Sequence, residues 1–435
     1  MIQSHLRGAA LTILATLTGL VAPGAILAQP KGFNYDESKV PSYSLPDPLL
    51  DQSGKPVKDA ATWTNQRRGE ILELFETYVY GRTPNTPVEV RFETLSRYRN
   101  AFGGKATRKE VRAHFTGNGK RAHMDILIYL PNVTSGPAPL FVGLNFHGNH
   151  TVSADPSIRL NPGWMRNSSR NGNQDHRASE ASRGTSSSRW AIGKILDRGY
   201  GLATIYYGDI DPDFDDGFQN GIHPLFYREG QTKPKKGEWG SIGAWSWGLS
   251  RAMDYFETDE AIDQGKVAVI GHSRLGKTSL WAGAQDERFA IVISNNSGCG
   301  GAALARRRFG ETVARINTSF PHWFNDNHVK FNDRENELPV DQHMLIALMA
   351  PRPVYIASAE QDKWADPNGE FLSGKLAGPV YQLFGKKGVG VQLQPELNTP
   401  VGDYVGYHYR TGKHDVTDYD WEQYLNFADR HFGKR

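Results

Sequence analysis

The run Val267-Ala268-Val269-Ile270-Gly271-His272-Ser273-Arg274-Leu275-Gly276-Lys277 constrains the fold of this chain more than any other segment. A continuous apolar strand ends at a glycine, a serine follows two positions later, and a helical stretch runs over 277–284. Strand, sharp turn and helix in that order predict a nucleophile elbow, where the turn lifts a serine hydroxyl above the sheet edge. The pattern is not quite G-x-S-x-G. Leu275 occupies the place of the last glycine, and Gly276 comes one residue later. A serine that only caps the helix is the alternative. The preceding strand, the flanking glycines and the partners described below argue against it.

The rest of the chain supplies the sheet such an elbow needs. Alternating patterns predict strands over 88–96, 108–116 and 124–130, after a polar lead-in over 29–65 and a helix near 67–80. From there strands and helices alternate, as in a mostly parallel sheet. Strands are expected over 139–146, 201–207, 266–270, 288–294, 353–359 and 405–410, with helices over 241–256 and near 420–432. Long polar insertions at about 150–190, 209–240 and 318–345 follow strand ends, where α/β sheets place their ligand sites. They are expected to shape a cleft rather than to form separate domains.

Composition narrows the function classes. The 435 residues carry a formal net charge of +3, from 50 Lys and Arg against 47 Asp and Glu. No basic run is long enough to read as a nucleic-acid arm, so no nucleic-acid partner is expected. Cys299 is the single cysteine, which excludes an intramolecular disulfide and a thiolate metal cluster. It stands among small residues and reads as a buried spacer. Residues 8–28 are uncharged and apolar, follow one basic residue, and end in small residues at Ala25 and Ala28. That is the layout of a signal peptide cleaved after Ala28, leaving 29–435 as one domain exported to the periplasm or secreted. No later stretch is long enough to span a bilayer, so no membrane is expected in the mature form.

A serine nucleophile needs a base, and the base needs an acid that orients it. In the α/β-hydrolase fold these follow the serine in the order acid, then histidine. His414, in the turn-like Thr411-Gly412-Lys413-His414-Asp415, fits the base, whereas His408 lies inside the last expected strand. His322, His328 and His343 precede the acid and have the wrong order. Asp362, just after the 353–359 strand, fits the acid, with Glu360 the alternative. The backbone N–H of Arg274 is the first candidate oxyanion donor, and its guanidinium could add charge-assisted donation. The acidic run Asp209–Gly217 resembles a calcium loop, but Phe214 stands where an EF-hand needs glycine and Asn220 where it needs glutamate. It reads as an acidic surface loop.

Together the runs Gly271–Lys277 and Ser294-Asn295-Asn296-Ser297-Gly298-Cys299-Gly300-Gly301 resemble carbohydrate esterase family 15, the glucuronoyl esterases. Phe320-Pro321-His322-Trp323-Phe324, Asp362-Lys363-Trp364-Ala365-Asp366-Pro367 and Gly412-Lys413-His414-Asp415 resemble its bacterial branch. The resemblance covers the chain from about residue 50 onward. It implies an α/β-hydrolase fold, a three-layer α/β/α sandwich with long insertions at the C-terminal edge of the sheet. It implies cleavage of esters between lignin alcohols and the 4-O-methyl-glucuronic acid branches of glucuronoxylan, without cofactor or metal, by a monomer. It further implies Ser273 as nucleophile, His414 as base, Arg274 as side-chain oxyanion stabiliser, and Lys277, Glu311 and Trp364 as holders of the sugar. Many members carry the acid as a glutamate just before the Ser-Gly of the second run. Here that position is Asn296, which leaves Asp362 as the acid.

Overall fold

The computed structural model describes residues 29–133 and 136–433, apart from the side chain of Arg170. The leader expected over 1–28 lies outside them. The described residues from 32 onward form one compact unit. Among the described residues no helix is long and apolar enough to cross a membrane.

Among the described residues nine strands make a single sheet: β1 (Glu89–Ala101), β2 (Ala106–Gly117), β3 (Lys120–Pro131), β4 (Ala138–Asn145), β5 (Gly201–Tyr206), β6 (Ile262–His272), β7 (Ile291–Asn295), β8 (Val354–Ala359) and β9 (Val405–Arg410). Their order is β1-β2-β3-β5-β4-β6-β7-β8-β9. The first three pair antiparallel with one another, and β3 also pairs antiparallel with β5. From β5 to β9 every pairing is parallel.

Both faces of the parallel part are covered by helices, which is why its strands read as continuous apolar runs. Side chains alternate between the two cores, as a period of two dictates. Val267 and Val269 of β6, Val292 of β7 and Val354 and Ile356 of β8 enter one core. There they meet α1 (Arg68–Phe75), α3 (Ser241–Phe256), α4 (Arg274–Gln285), α5 (Gln342–Ala347) and α6 (Pro367–Leu383). Ala268, Ile270, Ile291, Ile293, Tyr355 and Ala357 enter the other, against α2 (Ile192–Asp197) and α7 (Asp418–Phe432). This is the three-layer α/β-hydrolase arrangement.

Element boundaries differ from expectation in instructive places. The 67–80 helix has its α-helical part at Arg68–Phe75, flanked by wider π turns over Trp63–Arg67 and Glu76–Tyr80. The strand expected from 288 begins only at Ile291, because Arg288 is drawn into ion pairs with Asp254, Glu257 and Asp286. Helix α6 has no counterpart in the sequence reading. Gly369, Gly374, Gly378 and Pro379 lower its intrinsic propensity, yet Phe371, Ala377, Val380 and Tyr381 bury one face in the core and hold it helical.

Candidate active site

Ser273 joins β6 to α4 with φ 59° and ψ −127°. A positive φ is strained for a residue with a Cβ, and such strain persists only where the surroundings enforce it. Here they do. The Ser273 N–H donates to the Asn295 carbonyl at 2.9 Å, tying the turn to β7. Gly271 lets the chain turn that tightly, since a Cβ there would lie 1.8 Å from the Leu275 carbonyl oxygen.

His414 lies on the bend between β9 and α7. Arg410 shapes that bend, donating to the carbonyls of Thr411 at 3.0 Å and Asp415 at 2.6 Å while its Nε sits on the Asp420 carboxylate. His414 Nδ1 is 2.6 Å from Asp362 Oδ2. The loops carrying these two residues are joined where the Gln361 N–H donates to the Gly412 carbonyl at 3.0 Å. Asp362 is buried, whereas the His414 side chain is 40% exposed. The alternatives lie elsewhere. Glu360 accepts from Gln361 Nε2 at 3.3 Å. His408 is fully buried, 2.9 Å from Asp420 and 3.1 Å from the Tyr355 hydroxyl.

Two residues that the sequence reading did not assign support the histidine. The His272 ring centroid is 4.4 Å from that of His414, and its Nδ1 is 2.6 Å from Asn295 Oδ1. Burial, and less strongly the neighbouring His414, holds His272 well below the usual imidazole range, so it stays neutral. Asn296, set aside because it is no carboxylate, donates from Nδ2 to Asp362 Oδ2 at 2.8 Å. It occupies a left-handed conformation, φ 47°, that asparagine tolerates better than most residues.

Arg274 begins α4 and reaches across the cleft. Its Nη1 donates to Asp213 Oδ2, and its guanidinium lies 4.5 Å from the centroid of the Trp323 ring and 5.3 Å from that of Phe320. Asp213 also accepts from Trp323 Nε1 at 2.8 Å and Tyr207 Oη at 3.0 Å, with His322 Nε2 at 3.0 Å. Against a burial that opposes it, this ring of donors and the Arg274 charge hold the Asp213 carboxyl below its ordinary range. The acidic run Asp209–Gly217 is therefore not a surface loop. Asp211 and Asp213 are buried, Asp211 accepting from the Ser241 hydroxyl at 2.5 Å. The alternating acidic residues of that run and the histidine of Phe320–Phe324 were the available sequence signals.

Ser273, Arg274, His272 and His414 line one open cleft of about 250 Å³, with Phe146, Arg166 and Tyr207 on its walls. The insertion after β4 supplies Arg166, as its position at a strand end implied, and Tyr207 follows directly on β5. One helical turn beyond Ser273, Lys277 is buried, donating from Nζ to the Ser297 carbonyl and lying 3.8 Å from Glu311 Oε2. Burial pulls the Lys277 ammonium down and pushes the Glu311 carboxyl up, each opposed by the other's charge. Trp364 sits on the same segment pair, its carbonyl accepting from the Glu311 N–H at 3.0 Å. Cys299 is buried nearby, with its thiol pushed well up by burial.

Known proteins share the fold and much of the sequence of this chain. The profile of the family described as "Glucuronyl esterase, fungi" matches residues 225–385. A carbohydrate esterase from an unknown prokaryotic organism is 54% identical over 97% of this chain and 97% of its own length. The structure of a promiscuous family 15 (CE15) esterase from a marine bacterial metagenome is 55% identical, with TM-score 0.86 over 92% of this chain and 100% of that one. That of a glucuronoyl esterase from Solibacter usitatus is 54% identical, with TM-score 0.86 over 91% of this chain and 100% of that one. This chain belongs to carbohydrate esterase family 15, the glucuronoyl esterases, and is a carboxylic-ester hydrolase.

Proposed function

We propose that the protein hydrolyses esters between the 4-O-methyl-glucuronic acid branches of glucuronoxylan and lignin alcohols, with Ser273, His414 and Asp362 as its triad. The observation that carries this reading is the pairing of buried Lys277, one helical turn from the nucleophile, with the largely covered Glu311 carboxylate. An esterified uronic acid is neutral, so its hydroxyls are the handles, and an ammonium and a carboxylate give one donor and one acceptor for them. Trp364 adds an aromatic face for the ring.

His414 Nδ1 faces Asp362, which leaves Nε2 to take the Ser273 hydroxyl proton as Oγ attacks the C6 carbonyl. The carbonyl π pair moves onto oxygen, where the Arg274 backbone N–H and guanidinium stabilise it. Its collapse breaks the bond to the alcohol oxygen, which takes the proton from His414. Water, deprotonated by the same Nε2, then attacks the acyl-enzyme and frees glucuronate and Ser273. The exposure of His414 leaves the alcohol side open, which suits a bulky lignin alcohol. The same openness admits small acyl groups, and deacetylation of xylan is the second reading. A leader removed after Ala28 would deliver a monomeric enzyme to the periplasm or the medium.

The test is hydrolysis of benzyl and methyl glucuronate by purified protein, with Ser273→Ala as control. No turnover, or turnover indifferent to that substitution, sinks the proposal. Lys277→Ala separates the two readings, because it should damage glucuronate hydrolysis and spare acetate.

A further inference from the structure

The polar lead-in ahead of the sheet has no part in the triad, yet from Phe33 onward it lies against the Glu311 and Trp364 segments. The Phe33 ring meets Trp364 edge-on, centroids 4.9 Å apart at an interplanar angle of 90°. The Asn34 carbonyl accepts from the Gly310 N–H at 2.8 Å, one residue before Glu311. Gly310 is pressed from the other side too, since a Cβ on it would lie 2.4 Å from the Trp364 carbonyl oxygen. Tyr35 packs edge-on against Phe309 at 6.2 Å. Burial and the nearby Glu311 carboxylate push its phenol up to about 12, so it remains a neutral O–H at working pH.

Two residues further on the lead-in is latched. Both Glu37 carboxylate oxygens accept from Arg307 Nη2, at 2.7 and 2.8 Å. Arg307 in turn donates from Nε to Asp366 Oδ2 at 2.8 Å. Asp366 caps the start of α6 and closes the loop that begins at Asp362 and contains Trp364. One strap therefore touches the Glu311 segment by a backbone hydrogen bond, Trp364 by a ring contact, and the acid loop through an ion-pair relay.

We propose that residues 33–39 form one wall of the sugar subsite, with Glu37 as a positioning residue that fixes Trp364 and Glu311 relative to each other and so sets affinity for the uronate. This rests on the reading of Lys277, Glu311 and Trp364 as the sugar-holding set. Glu37 touches no reacting atom. Its effect belongs in KM for uronate esters rather than in kcat, and acetate esters, which have no sugar to hold, should not sense it.

Glu37→Gln suits the test because the buried Arg307 charge keeps its second partner, Asp366, and the fold is not left with an unpaired ion. KM for benzyl glucuronate should rise about 5- to 10-fold with kcat within about 2-fold, while kcat/KM for p-nitrophenyl acetate stays within about 2-fold. Deleting residues 29–39 should raise the same KM further. An unchanged KM in both variants overturns the proposal, and so does an equal loss on both esters. Calorimetric binding of free 4-O-methyl-glucuronate to the wild type and to Glu37→Gln reads the wall without turnover. A wild type that binds the acid but hydrolyses no glucuronate ester would refute the proposed function and leave the wall standing, whereas equal affinities in wild type and variant would refute the wall alone.

Discussion

Asn296 and His414 share one oxygen: Asp362 Oδ2 accepts from Asn296 Nδ2 at 2.8 Å and lies 2.6 Å from His414 Nδ1. The residue after β7 thus acts as a donor that orients an acid borrowed from the end of β8. Asp362→Asn should keep the fold and cut kcat for benzyl glucuronate by about 10³- to 10⁴-fold, because the amide presents the wrong partner to Nδ1. Asn296→Ala removes one hydrogen bond to the carboxylate, and a loss of about 10- to 100-fold in kcat is expected, since such a bond contributes roughly 1.5–3 kcal/mol. Steady-state kinetics of the two variants checks both values, and an Asn296→Ala loss as deep as that of Asp362→Asn would contradict the ranking.

Asp213 anchors Arg274 from below, and the pair should be sensitive to acid. The carboxyl is held below its ordinary range, so its contribution to stability is complete above a pH of about 4, its unfolded value. That contribution is lost as the pH falls through the lower folded value. Asp213→Asn should flatten the fall of Tm at acid pH and lower kcat/KM for glucuronate esters by about 10²-fold, because the guanidinium proposed to stabilise the oxyanion loses its anchor. Thermal scans between pH 2 and 7, set beside kinetics at neutral pH, give the comparison.

Glu370 makes the opposite prediction at the other end of the scale. It is fully buried, with Oε1 accepting from the N–H groups of Ser297 and Gly298 at 2.7 and 3.0 Å and Oε2 lying 2.6 Å from the Ser358 hydroxyl. Burial pushes it up to about 8, far above the usual glutamate value, so it is protonated at neutral pH. Its stabilisation is complete below a pH of about 4.5 and is lost as the pH rises through 8. Glu370→Gln keeps an acceptor for both N–H groups and a donor for Ser358, and removes the titration. Between a pH of about 4.5 and 8 Tm should fall less steeply in the variant, and identical slopes there would disprove the assignment.

Gly271→Ala should abolish the elbow. With 1.8 Å between the new Cβ and the Leu275 carbonyl oxygen, the turn cannot keep its geometry. Loss of fluorophosphonate labelling at Ser273 is expected, with a stability loss of about 3 kcal/mol or more in denaturant unfolding.

The local sequence was enough for the tight turn at Ser273, the parallel sheet, and the placing of His414 in a bend and His408 in a strand. Each of these rests on a short-range signal: an apolar run, a glycine where backbone must pass backbone, a histidine in a turn rather than a strand. Helix α6 was invisible because its glycines and proline speak against a helix, and only burial of its apolar face against the sheet outweighs them. The run Asp209–Gly217 looked like solvated acid because charge is usually at the surface. Asp213 is buried only because Arg274, His322 and Trp323, between 61 and 110 positions away, surround it with donors. The contact of Asn296 with Asp362, the Lys277–Glu311 pair and the packing of Phe33 on Trp364 arise in the same way. Each depends on groups far apart in the chain meeting across a few ångströms, and such meetings belong to the packing of the tertiary structure, not to any local pattern.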